Sequence, residues 1–558
     1  MQATISYYYL RLIREGQRLG SLPLLPLFVV LLLLLPVAVV GLAVLTPSLE
    51  IWSHLWQTIL PEMLRNTLLL VIGVGFGTFI IGTGLAWLMV AYRFPGQSVL
   101  EWLLILPMAV PTYVMGFVYM ATFDFAGPVQ SFLRQWFGEI GWFPEIRSGA
   151  GAIVVMTLVL YPYVYLLARA GFREQSGNTL DAARMLGHGS TTVFFRVVLP
   201  LARPSIAAGV ALAVMEALAD FATVRFFNFP TLSDGVIRIW HGMMDLRAAS
   251  ELAGMLAVFA LFILLLEHNL RGRSRYYQVV GKTAGITRVR LSGWRGWMVT
   301  AVCLFIVAVA IVLPIGQLSY WGLQEIGKMQ ADVVPVYINL ALNSLLLAGL
   351  AAIFATAVAL FLSSRSRISR SKTTRGLTRL ATIGYAIPGA VIGVGILLPL
   401  SALDHALNNF LEAWRGITVG LIFTGSLIGL TYAYVTRFLA VSYNSVDASM
   451  EKVTVNITQA ARILGAGNWK VMRQIHLPLV APGMMAGAIL VFVDVMKELP
   501  ITVILRPFGY DTLAIWVWQM AAESLWAGAS LPALAIVLVG ILPVIILMRA
   551  DTRRGKIQ

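Results

Sequence analysis

The sequence predicts an all-helical polytopic membrane protein of about 12 transmembrane helices, arranged as two parallel six-helix repeats. Three observations carry this prediction. Hydrophobic residues make up 59% of the 558 and charged residues only 12%, with a mean hydropathy of +0.82. Several apolar stretches exceed the roughly 20 residues that a helix needs to cross a bilayer. A twenty-residue segment then occurs twice, once in each half of the chain.

Taken in order, the spans are expected near 22–45, 67–91, 100–122, 149–168, 205–224, 249–267, 297–320, 343–363, 380–400, 417–436, 482–496 and 529–548. The first is preceded by Arg11, Arg14 and Arg18 and has no small-residue cleavage signal, so it is expected to be retained rather than removed as a leader. Placing the N-terminus in the cytoplasm puts most lysines and arginines on the inner side, as the positive-inside rule requires. The net charge of +15 therefore belongs to topology, and no basic face for nucleic acid is expected. The single cysteine, Cys303, lies inside an apolar span, which excludes an intrachain disulfide and a zinc cluster.

The repeated segment reads DAARMLGHGSTTVFFRVVLP over 181–200 and QAARILGAGNWKVMRQIHLP over 459–478, with nine identical positions and no gap. Helix formers at Ala182 to Leu186 meet Gly187, a residue suited to the left-handed conformation that ends many helices. Ser190, or Asn468 in the second copy, stands where an N-cap should precede the next apolar face. Leu199-Pro200 and Leu477-Pro478 close each copy, because proline cannot continue the preceding helix. A short helix, a forced break and a second short helix result, a compact knuckle with its counterpart 278 residues on.

This arrangement resembles the EAA loop of binding-protein-dependent ABC importer permeases, and the resemblance extends over nearly the whole chain. Ala182, Ala183, Gly187, Leu199 and Pro200 fit the loop pattern, as do Ala460, Ala461, Gly465, Ile475, Leu477 and Pro478. The leading acidic residue is Asp181 in the first copy and the uncharged Gln459 in the second. In that family the loop couples the permease to a separate cytoplasmic ATPase. The resemblance thus implies the type I ABC importer permease fold, an ABC ATPase partner acting as a homodimer, and a periplasmic substrate-binding protein. It places the chain in a bacterial inner membrane with both termini cytoplasmic. ATP and magnesium are expected on the ATPase, with no cofactor on this chain, which is a transport subunit rather than an enzyme.

The halves match beyond the knuckle. Asn66-Thr67-Leu68 pairs with Asn343-Ser344-Leu345, Val110-Pro111 with Ile387-Pro388, and Gly116 with Gly393, all at an offset of 277. Six spans per half is an even number, so the repeats are parallel and related by an axis along the membrane normal. The expected division is a first half over 1–267 with its core from about 66, a basic cytoplasmic linker over 268–296, and a second half over 297–558 with its core from about 343. The linker carries seven lysines and arginines. Its Gly281-Lys282-Thr283 imitates the end of a phosphate-binding loop, but Tyr276 occupies the position of the required glycine.

Two fused halves are similar to the ferric-iron permeases and their thiamine-transporting relatives. The strings Lys497-Glu498-Leu499-Pro500, Arg506-Pro507-Phe508 leading to Asp511-Thr512-Leu513-Ala514, and Ala219-Asp220-Phe221 resemble the ferric-iron group. The resemblance implies a permease moving ferric iron from a periplasmic binding protein to the cytoplasm, with thiamine or another small cation as the alternative cargo. A twelve-span secondary transporter is the alternative of another class, but such a protein gives no reason for a matched knuckle in each half.

Glu216 and Asp220 are four residues apart, as are Asp494 and Glu498, and the pairs are equivalent at the 278 offset. On a helix such spacing puts both groups on one face. Carboxylates inside spans are costly and face a cavity or a partner, and hard cations prefer oxygen ligands. These four either line a substrate pathway or pair with Arg225, Lys497 or Arg506. No firm metal site and no cluster of nucleophile and base is read. Weaker candidates have ordinary roles to hand: His188 and His476 as surface or capping groups, Tyr161, Tyr163, Tyr432 and Tyr434 as interfacial belts, and Gly73, Gly75 and Gly77 as points of close helix packing. Pro111 and Pro388 are expected to kink spans or shape their packing.

Overall fold

The computed structural model describes residues 24–46, 49–138, 141–175, 185, 187, 189–243, 245–271, 288–369 and 372–555. Among the described residues ten helices are long and apolar enough to span a membrane, and the segments Gln97–Ala109 and Thr112–Phe137, which meet at a bend of 93°, are together apolar enough to add an eleventh. The span expected at 417–436 corresponds to the 24-residue helix Leu427–Met450, which is more polar than those ten. Its apolar face is diluted by Arg437, Asn444 and Asp447.

That helix starts later than its expected boundary of 417. Residues 419–424 are instead a loop tied to the preceding helix: Asp404 accepts backbone N–H bonds from Ile422, Phe423 and Thr424 at 2.9, 2.9 and 2.7 Å. Ser426 then takes the N-cap, its Oγ accepting from Gly429 N at 3.1 Å. Ser148 does the same for the equivalent helix Gly149–Arg173, accepting from Gly151 N at 3.2 Å.

Repetition in sequence becomes repetition in hydrogen bonding. Asn66 Nδ2 donates to the Pro230 carbonyl at 3.0 Å, and Asn343 Nδ2 donates to the Asp511 carbonyl at 2.9 Å. The next residue holds the start of a later helix, with Thr67 Oγ1 accepting from Leu232 N at 3.0 Å and Ser344 Oγ accepting from Leu513 N at 2.9 Å. These are the first residues of helices Leu232–Met243 and Leu513–Ala522, so the N-[ST]-L motif satisfies orphan N–H groups at two helix starts. A further repeat reads Phe132-Leu133 to Trp136 and Gly138, and Phe410-Leu411 to Trp414 and Gly416. Both glycines are left-handed, at φ 72° and 65°, and each half exposes the Phe and Trp at the tip of a helix.

Small residues set the packing inside each half. A Cβ on Gly73 would come within 2.7 Å of Ile153, and one on Gly77 within 2.7 Å of Thr157, so these glycines let Leu60–Ala91 lie close against Gly149–Arg173. Among the contacts that join the halves, three stand out. Helix Leu24–Leu45 packs against Gly389–Arg415 of the second half. Phe117 of the first half clusters with Trp321 and Trp526 of the second, all three ring centroids 6.3 Å from one another. Tyr92–Arg93 pairs in parallel with Val289–Arg290 at the end of the expected linker.

Candidate translocation site and coupling loops

Helices Leu199–Ala219 and Leu477–Met496 both break at a carboxylate, and each carboxylate caps the next short helix. Asp220 accepts from Thr223 N at 2.9 Å and from the Thr223 hydroxyl, ahead of Ala222–Phe226. Glu498 accepts from Ile501 N at 2.9 Å, Thr502 N at 3.1 Å and Thr502 Oγ1 at 2.9 Å, at the start of Pro500–Leu505. Capping is thus the local task of the second carboxylate in each pair.

The two halves neutralise these caps differently. Arg437 Nη1 reaches Glu498 Oε1 at 3.0 Å, with the two side chains 10% and 2% exposed. The space that the guanidinium uses is left by Gly389, whose added Cβ would overlap Arg437 Nη1. In the first half that position is Thr112, and its side chain hydrogen-bonds Asp220 instead. Val159 stands opposite Arg437 in the repeat, and Ala219 opposite Lys497, so both cations belong to the second half.

The elements enclose a cavity of about 90 Å³ lined by residues of both halves. Thr112, Tyr163, Glu216 and Asp220 come from the first, and Tyr385, Arg437, Asp494, Lys497 and Glu498 from the second. All four sequence-predicted carboxylates therefore reach one space. Their roles separate there: Asp220 and Glu498 are caps, and Asp494 pairs with Lys497 at 3.0 Å. Glu216 has neither a hydrogen bond nor an ion pair among the described residues. The buried Tyr113 hydroxyl, also on the cavity, has no hydrogen-bond partner either among those residues. Two of the suggested alternative partners are occupied elsewhere, Arg225 with Asp234 at 3.6 Å and Arg506 with Asp511. Among the described residues no three His, Cys, Asp or Glu side chains converge as metal ligands, so the carboxylates are spread along a surface.

Arg437 was the residue missed by sequence reasoning. It lies 61 positions from its partner on another helix, so no spacing rule links them. Tyr163 lines the cavity, and Tyr161 and Tyr434 are fully buried, so these tyrosines form no interfacial belt. Tyr434 exchanges a hydrogen bond of 2.7 Å with Thr502, on the helix capped by Glu498.

The second knuckle is described throughout. Helix Val455–Ile463 ends at Gly465, whose φ is 81°, and Ala466 N returns to the Ala461 carbonyl at 3.0 Å. This is the Schellman closure that a left-handed glycine permits. Helix Asn468–Val471 comes next, then a π-turn over Met472–His476 that runs into Leu477–Met496. Gln459 and Ala460 are exposed, and Ile463 and Leu464 are 85% and 87% exposed at the tip. Leu477 and Pro478 lie on the exposed side of the span that the turn leads into.

His476 is buried, against the expectation of a surface group, because the π-turn rotates it inward. In the first knuckle Asp181, Ala182, Ala183 and His188 lie outside the described residues. Gly187 has a φ of 84°, Met185 is 89% exposed, and Phe194–Val198 forms a π-turn at the same place before Leu199 and Pro200. π-turns are rare insertions that concentrate at functional sites, and here both knuckles join their spans through one.

The model of the family described as binding-protein-dependent transport system inner membrane component matches residues 78–268 and again 348–555. The chain is 27% identical over 510 residues to the Fe(3+)-transport system permease protein FbpB 2 of Haemophilus influenzae, covering 90% of this chain and 92% of that one. It is 24% identical over 493 residues to the probable ABC transporter permease protein y4fN of Sinorhizobium fredii, covering 83% and 82%. Its similarity to the sulfate transport system permease protein CysT of Escherichia coli is 28% over 256 residues, which is 44% of this chain and 90% of the relative. One copy of the family domain in each half, each carrying a knuckle and a carboxylate-capped break, means that the chain belongs to the inner membrane components of binding-protein-dependent transport systems.

Proposed function

We propose that this chain supplies both permease halves of an ATP-driven importer that moves ferric iron from a substrate-binding protein to the cytoplasm. The observation that carries the ATP-driven part is the matched pair of knuckles. Each presents an apolar tip, Met185 in one and Ile463 with Leu464 in the other, left exposed by the described residues of this chain. Two equivalent tips suit a homodimeric ABC ATPase with one groove per subunit. Both termini then lie on the ATPase side, in keeping with the distribution of lysines and arginines.

Iron as cargo is supported by the names of relatives that match both halves, the Fe(3+)-transport system permease of Haemophilus influenzae, over 90% of this chain, among them. The cavity suits that cargo chemically. Glu216 and the Tyr113 hydroxyl offer oxygen to a hard cation, while Asp494 and Glu498 are already held by Lys497 and Arg437. A transient path with one free carboxylate releases its ion more readily than a closed cage of ligands. The test is reconstitution in proteoliposomes with the cognate ATPase and binding protein. Uptake of radioactive ferric iron is expected to require both partners and ATP. Uptake of thiamine instead removes the iron assignment, and uptake driven by an ion gradient without the ATPase removes the importer reading.

A further inference from the structure

A second cavity lies away from the polar site, on the outer surface of the first half. It is a cleft of about 670 Å³ where Leu60–Ala91, Leu199–Ala219 and Leu246–Arg271 diverge. Val71, Phe76, Phe79, Ile206 and Val210 wall it. Gly75 keeps it deep, because a Cβ there would stand 3.3 Å from Val214 and 3.6 Å from Val210. The polar residues of the lining are Arg203 and Glu267, both towards the knuckle end, beside Leu199 and Pro200. Arg203 is exposed and has no hydrogen bond or ion pair among the described residues.

We infer that this cleft is a binding site for one phospholipid of the leaflet on the knuckle side, its acyl chain in the apolar cleft and its phosphate on Arg203. The helices that form it are membrane spans, so the cleft opens to hydrocarbon. Water does not fill an apolar cavity of this kind, and leaving it empty forfeits the dispersion contacts of its walls. An acyl chain satisfies both conditions. A guanidinium at the same end needs an anion at headgroup depth, and phosphate matches its forked donors. The repeat counterpart of Arg203 is Ala481, so the phosphate contact belongs to the first half alone.

The experiment uses the full-length purified chain, delipidated in detergent and titrated with dioleoylphosphatidylethanolamine, with lipid adducts counted by native mass spectrometry. One tight adduct is expected. Arg203→Gln should weaken it about fivefold, the effect of one cation at a lipid surface. Ala207→Phe, which fills the cleft, should remove the tight adduct while the chain melts as the wild type does. Dioleoylglycerol, which lacks the phosphate, should bind the native chain no better than the phospholipid binds the Arg203→Gln variant. Equal binding of diacylglycerol and phospholipid to the native chain overturns the proposal, whatever the variants do. Wild-type affinity in both variants overturns it too.

Discussion

Glutamine in place of Glu498 and of Glu216 should have opposite effects, although the two residues line the same cavity. The Glu498 carboxylate accepts from Arg437 Nη1 at 3.0 Å, from Ile501 N at 2.9 Å, and from the Thr502 amide and hydroxyl at 3.1 and 2.9 Å. An amide keeps one acceptor oxygen, turns an NH₂ toward groups that are donors, and strands a guanidinium whose side chain is 10% exposed. Removing one partner of a buried pair costs about 3–5 kcal/mol. Glu216 has no such partner among the described residues, so Glu216→Gln should change stability by no more than about 0.5 kcal/mol, in line with substitutions that break no packed or paired feature. The assay is thermal melting of the purified variants beside ferric-iron uptake in proteoliposomes. Glu498→Gln should melt well below the wild type, and Arg437→Met combined with Glu498→Gln should recover most of the loss. Glu216→Gln should melt normally and lose uptake. A Glu498→Gln protein that melts with the wild type, or a Glu216→Gln protein destabilised as strongly, would refute this division of roles.

The same geometry fixes three further outcomes. Gly389→Ala places a Cβ against Arg437 Nη1 and 2.8 Å from Glu498 Oε1, so its melting temperature should fall as that of Glu498→Gln does, whereas Thr112→Ala in the first half should cost only one hydrogen bond, about 1 kcal/mol. Gly187→Val and Gly465→Val meet no steric obstacle, but each forces a β-branched residue to positive φ at about 1–2 kcal/mol, so uptake should drop while membrane insertion, read by fractionation, persists. Asp181→Asn should weaken ATPase association by less than about 1 kcal/mol and more than Gln459→Ala does, with the difference fading at high salt in a binding titration.

Internal repetition made much of the fold legible. Each knuckle, its left-handed glycine and its closing proline could be read from two copies of one segment, and the N-[ST]-L motif stood out as a matched pair at the 277 offset. Distant partners were not legible. Arg437 sits on the most polar of the long helices, and the Gly389 that admits it looks like any glycine after a proline. The same polarity blurred the start of that helix, which depends on Ser426 and on the three N–H groups held by Asp404. The four carboxylates were found by their i, i+4 spacing, but spacing could not divide them. Asp220 and Glu498 fall at helix breaks and cap the short helices beyond them, while Glu216 lies one turn earlier, facing the cavity. Burial of His476 escaped notice because a π-turn shifts the register of a face by one residue, and no composition marks such a turn.

The central claim is that substrate passes Glu216 and that ATP turnover beneath the knuckles opens its path. Its most direct test is the labelling of Glu216→Cys in a Cys303→Ala background by a charged, membrane-impermeant thiol reagent, in vesicles reconstituted with the ATPase and the binding protein. The account predicts slow labelling at rest, when the cavity is only about 90 Å³, and fast labelling from the binding-protein side in the ATP-bound state. Labelling at one unchanged slow rate in every nucleotide state would contradict it.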